Sequence, residues 1–74
     1  MSENQRRQIG AKLKELRQRA GYSRRELAES LGTYYGRVCN WENGRVAPSE
    51  RYLGELAEHY GVTVAYLAGS DEAA

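Results

Sequence analysis

The 74-residue chain carries a net charge of +1 and a single cysteine, and these features limit what the protein can be. A chain this short lies near the lower size limit for an independent hydrophobic core, so it has no room for a large active-site cavity as well. One cysteine excludes an internal disulfide and a cysteine-based zinc site. The sequence has no apolar run of membrane or signal-peptide length, which predicts a cytoplasmic protein with no membrane partner.

The charges are distributed unevenly along the chain. Residues 1–51 contain all 11 Lys and Arg residues and six of the 10 acidic residues, which gives them a net charge of +5. Residues 52–74 contain the other four acidic residues and no Lys or Arg, a net charge of −4. A domain that is basic over its first two thirds predicts a polyanionic partner on one side and a different contact on the other.

The first helix is predicted over residues 6–20, after a flexible N-terminus at residues 1–5. Basic residues occupy its other faces, and Gly21 can end it. Its apolar residues recur at the spacing of one helix face: Ile9, Leu13, Leu16 and Ala20.

Residues 23–44 are the most informative stretch, because they predict two short helices joined by a tight turn. Ser23 and Glu26 have the spacing of a capping box, in which each side chain satisfies a free amide at the start of a helix. Gly32 follows the last apolar residue of this helix and can adopt the left-handed conformation that ends it.

The second helix of the pair follows Thr33 or Tyr34 and runs to about residue 43, with Gly44 after it. At about 100° per residue, its apolar residues fall on one side. The opposite side is small and polar, it lacks the Lys–Glu pairs typical of a solvated helix, and it can approach another surface closely. This outer face consists of Gly36, Cys39, Asn40 and Asn43.

The spacing of the interior residues indicates how the two helices pack. Ala28 is small enough for a close crossing, and it lies four positions before Gly32. Val38 and Trp41 lie six and nine positions beyond that glycine, where the second helix needs apolar anchors. Two helices at a wide angle, the second with a polar outer face, describe a helix-turn-helix.

The remainder of the chain predicts two more helices. Ser49 is a suitable N-cap for a fourth helix that runs to about Tyr60 and ends at Gly61. Thr63 caps a short fifth helix over residues 64–68, and residues 70–74 are expected to be a disordered tail. No segment alternates like a strand, so the chain reads as a compact all-α domain over residues 6–69.

The run from Ile9 to Gly69 resembles the lambdoid phage repressor and Cro-type family, also called the xenobiotic-response-element-type helix-turn-helix family. The matching stretches are IGAKLKELRQRAG, YSRRELAESLG, the helix ending NWENG, then RVAPS and LAEHYGVTVAYLAG. The resemblance implies a five-helix, lambda-repressor-like DNA-binding domain whose helix-turn-helix is formed by helices 2 and 3. It also implies a homodimer on a DNA operator.

Several residue roles follow from this resemblance. Tyr35, Gly36 and Asn40 match positions that contact base edges in the major groove. Arg24 matches a position that contacts phosphate and braces the recognition helix, and Arg45 matches a phosphate-contacting site. A structural ion pair of some relatives is matched by Arg17 and Glu42.

Side-chain chemistry extends the set of DNA-contacting residues. Arg37 is expected to pair with guanine if it swings inward, and Asn40 with adenine. Cys39 is expected to face the groove as a small residue, its alternative role being that of a redox sensor. Three further residues are expected to contact phosphate: Arg25, Tyr34 and Asn43.

Four of these residues have plainer alternatives. Arg25 can form an ion pair with Glu29 one turn along its helix. Arg37 can reach phosphate only, Tyr35 can pack at the rim of the interface, and Asn43 can serve as a helix-end residue.

The chain departs from the family pattern at three positions. Tyr34 stands where the recognition helix usually begins with Ser or Thr, Gly36 stands where a polar side chain is common, and Arg24 replaces a frequent Gln. An operator sequence therefore cannot be transferred from relatives.

The acidic end of the chain has more aromatic and apolar residues than a small domain needs for its core. In relatives this region forms the dimer contact, so we expect a homodimer interface that includes Tyr60, Val64, Tyr66 and Leu67. The alternative is that these residues complete the core of the monomer.

The expected function is sequence-specific binding of double-stranded DNA. The protein would act as a transcriptional regulator, a repressor, that reads a pseudo-palindromic operator as a homodimer through the major groove. The alternative is an antitoxin-like autoregulator that also binds a protein partner. An enzyme is not expected, because the sequence has no Ser/His/Asp set, phosphate-binding glycine loop or metal cluster. No cofactor, metal or small-molecule ligand is expected either.

Overall fold

The computed structural model describes residues 2–69, which form five helices. They are α1 Glu3–Ala20, α2 Arg24–Leu31, α3 Tyr35–Glu42, α4 Glu50–Tyr60 and α5 Val64–Leu67. These residues include no strand, and the all-α, five-helix prediction is confirmed. No helix in this part of the chain has the length and apolar character needed to cross a membrane. The tail predicted at residues 70–74 lies outside the described residues.

The first helix begins three residues earlier than its apolar pattern predicts. Residues 3–5, expected in the flexible N-terminus, are the first turn of α1. Ser2 Oγ accepts a hydrogen bond from the Gln5 amide at 3.1 Å, and Gln5 Oε1 accepts one from the Ser2 amide at 2.9 Å. This reciprocal capping box satisfies two amides that would otherwise destabilise the helix start. Periodicity missed it because the first turn contains no apolar residue.

The buried face of α1 also differs from the predicted one. Ala20 is exposed, whereas Gly10 and Arg17 are buried beside Ile9 and Leu13. The inner face therefore includes a glycine and a charged residue, and both contact the end of α3.

The predicted caps of α2, α4 and α5 are present. Ser23 and Glu26 form a capping box with bonds of 3.0 and 2.8 Å, and Ser49 and Thr63 accept bonds from amides at the starts of α4 and α5. Gly32 has φ +69°, so it ends α2 and turns the chain into α3 at little steric cost. The turn between the two helices is thereby only a few residues long.

The core lies where α3 packs against α1 and α2, with α4 and α5 closing the remaining side. The predicted interior residues of the helix-turn-helix, Ala28, Val38 and Trp41, are buried. Leu31, the last apolar residue of α2, is partly buried against the core. Burial of this apolar set from several helices supplies the main stabilising term. The buried hydrophobic residues are Ile9, Leu13, Leu27, Ala28, Val38, Trp41, Leu53, Leu56, Ala57 and Leu67.

Gly10 is the point at which α1 and α3 approach most closely. A Cβ atom built on Gly10 would lie 2.7 Å from the Glu42 carbonyl oxygen and closer still to that of Trp41. No side chain fits between the two backbones here. The glycine therefore sets the separation of α1 from the C-terminal end of α3.

Tyr60 carries a buried hydroxyl at the C-terminal end of α4. Its Oη makes no hydrogen bond to the described residues. Burial, with a further contribution from the negative charge of Glu42, raises the pKa of Tyr60 to about 12. The neutral phenol is favoured in the folded state, because burial disfavours the charged form.

We expect Tyr60→Phe to raise the free energy of unfolding by about 1 kcal/mol at neutral pH, because it removes an unsatisfied buried hydroxyl. The pKa of Tyr60 is higher in the folded than in the unfolded state, so the wild type also loses stability as the pH rises from 10 towards 12, whereas Tyr60→Phe lacks this loss. Urea unfolding from pH 8 to 11.5 checks both effects. Tyr66→Phe is the control, and equal pH profiles for wild type and Tyr60→Phe would contradict the prediction.

Candidate nucleic-acid interface

The outer face of α3 (Gly36, Cys39, Asn40 and Asn43) lies opposite the residues that anchor the helix. Val38, Trp41 and Glu42 are buried towards the core, whereas the first three outer-face residues are half-buried and Asn43 is exposed at the C-cap. The side-chain amide of Asn40 makes no hydrogen bond within residues 2–69, so its N–H donors and its carbonyl oxygen are available to a partner. The face is narrow and small enough to enter a groove.

The N-terminal end of α3 lacks a side-chain cap. Tyr34 is the N-cap residue, and its side chain accepts no hydrogen bond from the first turn. The sequence left this position open between Thr33 and Tyr34, and the structure assigns it to Tyr34. The tyrosine that replaces the usual Ser or Thr therefore removes a capping bond. Its ring is 59% exposed beside the outer face.

Glu42 anchors the other end of α3 through a buried ion-pair network. Arg17 donates to it from Nε at 2.7 Å and from Nη2 at 3.1 Å, so the predicted structural ion pair is present. Arg24 adds a third bond, from Nε at 3.0 Å. The Glu42 side chain is only 1% exposed. A single carboxylate thus joins α1 and α2 to the last turn of α3.

Arg24 is held on one side but open on the other. Its hydrogen bonds, first with Glu42 and then with Tyr35, raise the pKa of Arg24. The bond from Arg24 to Glu42 ties α2 to α3, as the bracing role implied by the resemblance requires. The side chain remains 30% exposed, so the predicted phosphate contact stays possible for its outward N–H groups.

Arg25 and Tyr35 extend this basic flank of α3. The Arg25 guanidinium lies over the Tyr35 ring, 5.2 Å from its centroid. No ion pair between Arg25 and Glu29 is present in the described chain, so the plainer alternative for Arg25 is not observed. Tyr35 is 44% exposed and lies at the rim of the outer face. Two arginines and a tyrosine are therefore assembled on the α2 side of α3.

The opposite flank of α3 contains a second arginine–tyrosine group. Arg37 Nη1 donates to Tyr52 Oη at 3.1 Å, and the guanidinium lies over the rings of Tyr34 and Tyr52, at 4.9 and 5.3 Å from their centroids. Tyr52 belongs to α4 and was not among the predicted site residues. Arg37 is thus directed towards α4, not along the centre of the outer face.

The loop after α3 is contacted by residues of α1. Arg45 and Asn43 are exposed there, as their predicted phosphate contacts require. Arg6 Nε donates to the Gly44 carbonyl at 3.3 Å, and Arg7 packs against Gly44. No local pattern predicts that these two arginines belong to the site, because they precede Gly44 by 38 and 37 positions.

The residues expected at the dimer interface differ in how exposed they are. Val64 is 44% exposed, whereas Tyr60 and Tyr66 are half-buried. Leu67 is completely buried in the monomer, so its expected contact with a partner subunit is wrong. The alternative considered for this region, completion of the core, applies to Leu67. Tyr66 is fixed by Lys12, whose Nζ lies 4.5 Å from its ring centroid and donates to its carbonyl at 2.8 Å.

Comparison with known proteins agrees with this geometry. Residues 8–68 match the family described as "Helix-turn-helix domain". The chain is 39% identical over 64 residues to the HTH-type transcriptional regulator ImmR of Bacillus subtilis (strain 168), an alignment that covers 86% of this chain and 50% of ImmR. It thus spans about half the length of that relative.

A solved structure shows the same fold. The crystal structure of the DNA-binding domain of BldD superimposes on the chain with a TM-score of 0.77 and 35% sequence identity. The match covers 90% of this chain and 97% of the BldD domain. Taken with the packing of α2 against α3, these similarities show that the chain belongs to the Cro/C1-type helix-turn-helix DNA-binding family.

Proposed function

We propose that the protein is a sequence-specific transcriptional regulator that binds double-stranded DNA as a homodimer and represses transcription from a pseudo-palindromic operator. The observation that carries the proposal is the outer face of α3, which is small and polar and is bordered on both flanks by arginines. Membership of the family supports DNA binding. Repression and a symmetric operator are properties that the family resemblance implies, and the proposal extends them to this chain.

The proposed docking is the one typical of a helix-turn-helix. The N-terminal half of α3 enters the major groove, and α2 crosses the DNA backbone. Asn40 then pairs bidentately with adenine, while Gly36 lets the α3 backbone approach the bases. Arg24, Arg25 and Arg45 neutralise phosphates on either side and supply the sequence-independent part of the affinity. Tyr35 and Cys39 contact base edges at the margins of this face.

The first experiment is selection of bound sequences from a randomised duplex pool, followed by affinity measurements. We expect a symmetric motif with half-sites about one helical turn, roughly 34–36 Å, apart. Asn40→Ala should weaken binding to the preferred site by about 1–3 kcal/mol and erase the preference at one base pair of each half-site. Gln18→Ala is the control, since it removes an exposed amide from α1.

Weak binding with steep salt dependence and no motif would contradict the proposal. That result would leave phosphate attraction alone and favour a protein partner, as in the antitoxin-like alternative.

Dimer formation has a separate test. Mass measurements over a concentration series should show dimers, and Val64→Glu should shift the equilibrium to monomers without unfolding the domain, since Val64 is 44% exposed. A protein that stays monomeric at high micromolar concentration and binds DNA as one protomer per duplex would exclude the homodimer.

A further inference from the structure

Tyr52 forms a side-chain bridge between α4 and the recognition helix α3. Its ring packs at a tilt of 54° against the buried Trp41, with the centroids 5.1 Å apart, so the ring is anchored to the core. Its Oη accepts the hydrogen bond from Arg37 at 3.1 Å. Hydrogen bonds from Thr33 and from Arg37 to this oxygen lower the pKa of Tyr52, because they stabilise the phenolate form. Tyr52 thereby joins the turn of the motif, α3 and α4.

The Arg37 guanidinium is restrained on more than one side. The Tyr52 hydroxyl accepts from one N–H group, and the guanidinium lies over the rings of Tyr34 and Tyr52. A guanidinium has five N–H donors, so most of them are free to bind an oxyanion. A restrained arginine loses less rotamer entropy on binding than a free one. The geometry therefore preorganises Arg37.

The direction of this restraint decides which part of DNA Arg37 can reach. Arg37 lies two residues after Tyr35 and three before Asn40, which at 100° per residue puts it on the flank of α3, not at the centre of the outer face. Tyr52 holds it towards α4, in a depression that also includes Trp41 and Val46. A helix seated in the major groove presents its flanks to the sugar–phosphate backbone and its centre to the bases.

We propose that Tyr52 is a positioning residue that holds Arg37 in place to bind a backbone phosphate, so that Arg37 contributes affinity without reading a base. This inference rests on the proposed DNA-binding function and revises the expectation that Arg37 contacts a base. Specificity then resides in Asn40 and its neighbours on the outer face. Arg37 and Tyr52 set how firmly α3 is seated in the groove.

The test compares Arg37→Ala, Tyr52→Phe and the double variant with the wild type, by the selected motif and by affinity against salt. Arg37→Ala should weaken binding roughly tenfold to all sequences and reduce the salt slope by about 1 per protomer, with the base preferences unchanged. Tyr52→Phe keeps the ring on Trp41 and removes the hydroxyl. It should weaken binding roughly three- to tenfold and add nothing in the Arg37→Ala background.

Arg19→Ala is the matched charge control. Arg19 is 74% exposed near the end of α1 and is paired there with Glu15, so its loss should leave the salt slope unchanged. Thermal unfolding of each variant separates positioning from folding, since a purely structural role for Tyr52 would change the melting temperature and not the salt slope.

Three outcomes would overturn the inference. Loss of preference at one base pair in Arg37→Ala would make Arg37 a base-reading residue. Fully additive effects of Arg37→Ala and Tyr52→Phe would show that Tyr52 does not position Arg37. An unchanged salt slope in Arg37→Ala would remove the phosphate contact. Failure of the proposed function would be distinguishable from failure of this inference. A wild type that selects no motif would contradict the proposed function, but its affinity would still depend on salt, and the variants could still change that dependence.

Discussion

Gly10→Ala is expected to lower the free energy of unfolding by about 3 kcal/mol or more. The added Cβ would lie 2.7 Å from the Glu42 carbonyl oxygen and nearer still to that of Trp41. Backbone carbonyls cannot rotate away like a flexible side chain, so α1 and α3 must separate. Because this domain is small, a loss of that size is a large fraction of its total stability.

Urea unfolding followed by circular dichroism measures the change, and Gly54→Ala is the matched control. Gly54 is also a helix-interior glycine, but nothing lies within 4 Å of a Cβ built there. Alanine should therefore stabilise α4 by about 0.5–1 kcal/mol through its higher helix propensity. Equal effects of the two substitutions would show that helix propensity, and not the crossing of α1 and α3, determines the outcome at Gly10.

Glu42→Gln is expected to cost about 3 kcal/mol of stability, although it preserves the size of the side chain. The carboxylate is 1% exposed and accepts three hydrogen bonds from Arg17 and Arg24. Glutamine leaves two guanidinium groups without a counter-charge, one of them buried. The last turn of α3 should loosen as a result, which hydrogen exchange of its backbone amides would detect.

Glu15→Gln provides the comparison for this effect. Its ion pair with Arg19 has the same N–O distance of 2.7 Å as the shortest bond from Arg17 to Glu42, but its side chain is 59% exposed. Water screens this pair, so its loss should change the stability by less than about 0.5 kcal/mol. If both variants lose the same stability, burial is not what makes the Glu42 network important.

The helix ends and the motif itself could be predicted from the sequence because their signals are local. The capping box of Ser23 and Glu26 and the turn at Gly32 each depend on residues within a few positions of one another. The interior positions of the motif follow from helical periodicity, and Val38 and Trp41 are buried as expected. Ser2 and Gln5 have the same capping-box spacing, but no apolar residue follows within the first turn to mark it as part of a helix.

The contacts that position the site could not be predicted, because they join distant parts of the chain. From the sequence, Gly10 is only a residue of low helix propensity within α1. Its role depends on the backbone of α3, which lies too close for a side chain at this position. The second partner of Glu42 and the bridge from Tyr52 to Arg37 also depend on how the helices cross. Sequence spacing identifies which residues lie on the outer face of α3, but not which of them neighbouring helices restrain.

The separation of the outer face of α3 from the core affects how such a domain can diversify. Gly36 has room for a methyl group, with the nearest atom of the Tyr34 ring 3.4 Å away, and neither Cys39 nor Asn40 belongs to the buried cluster. Under the proposed function, substitutions at these positions would alter the recognised DNA sequence while the Gly10 crossing and the Glu42 network keep the helices in place. The proposed DNA specificity could therefore change by single substitutions that leave the buried core untouched.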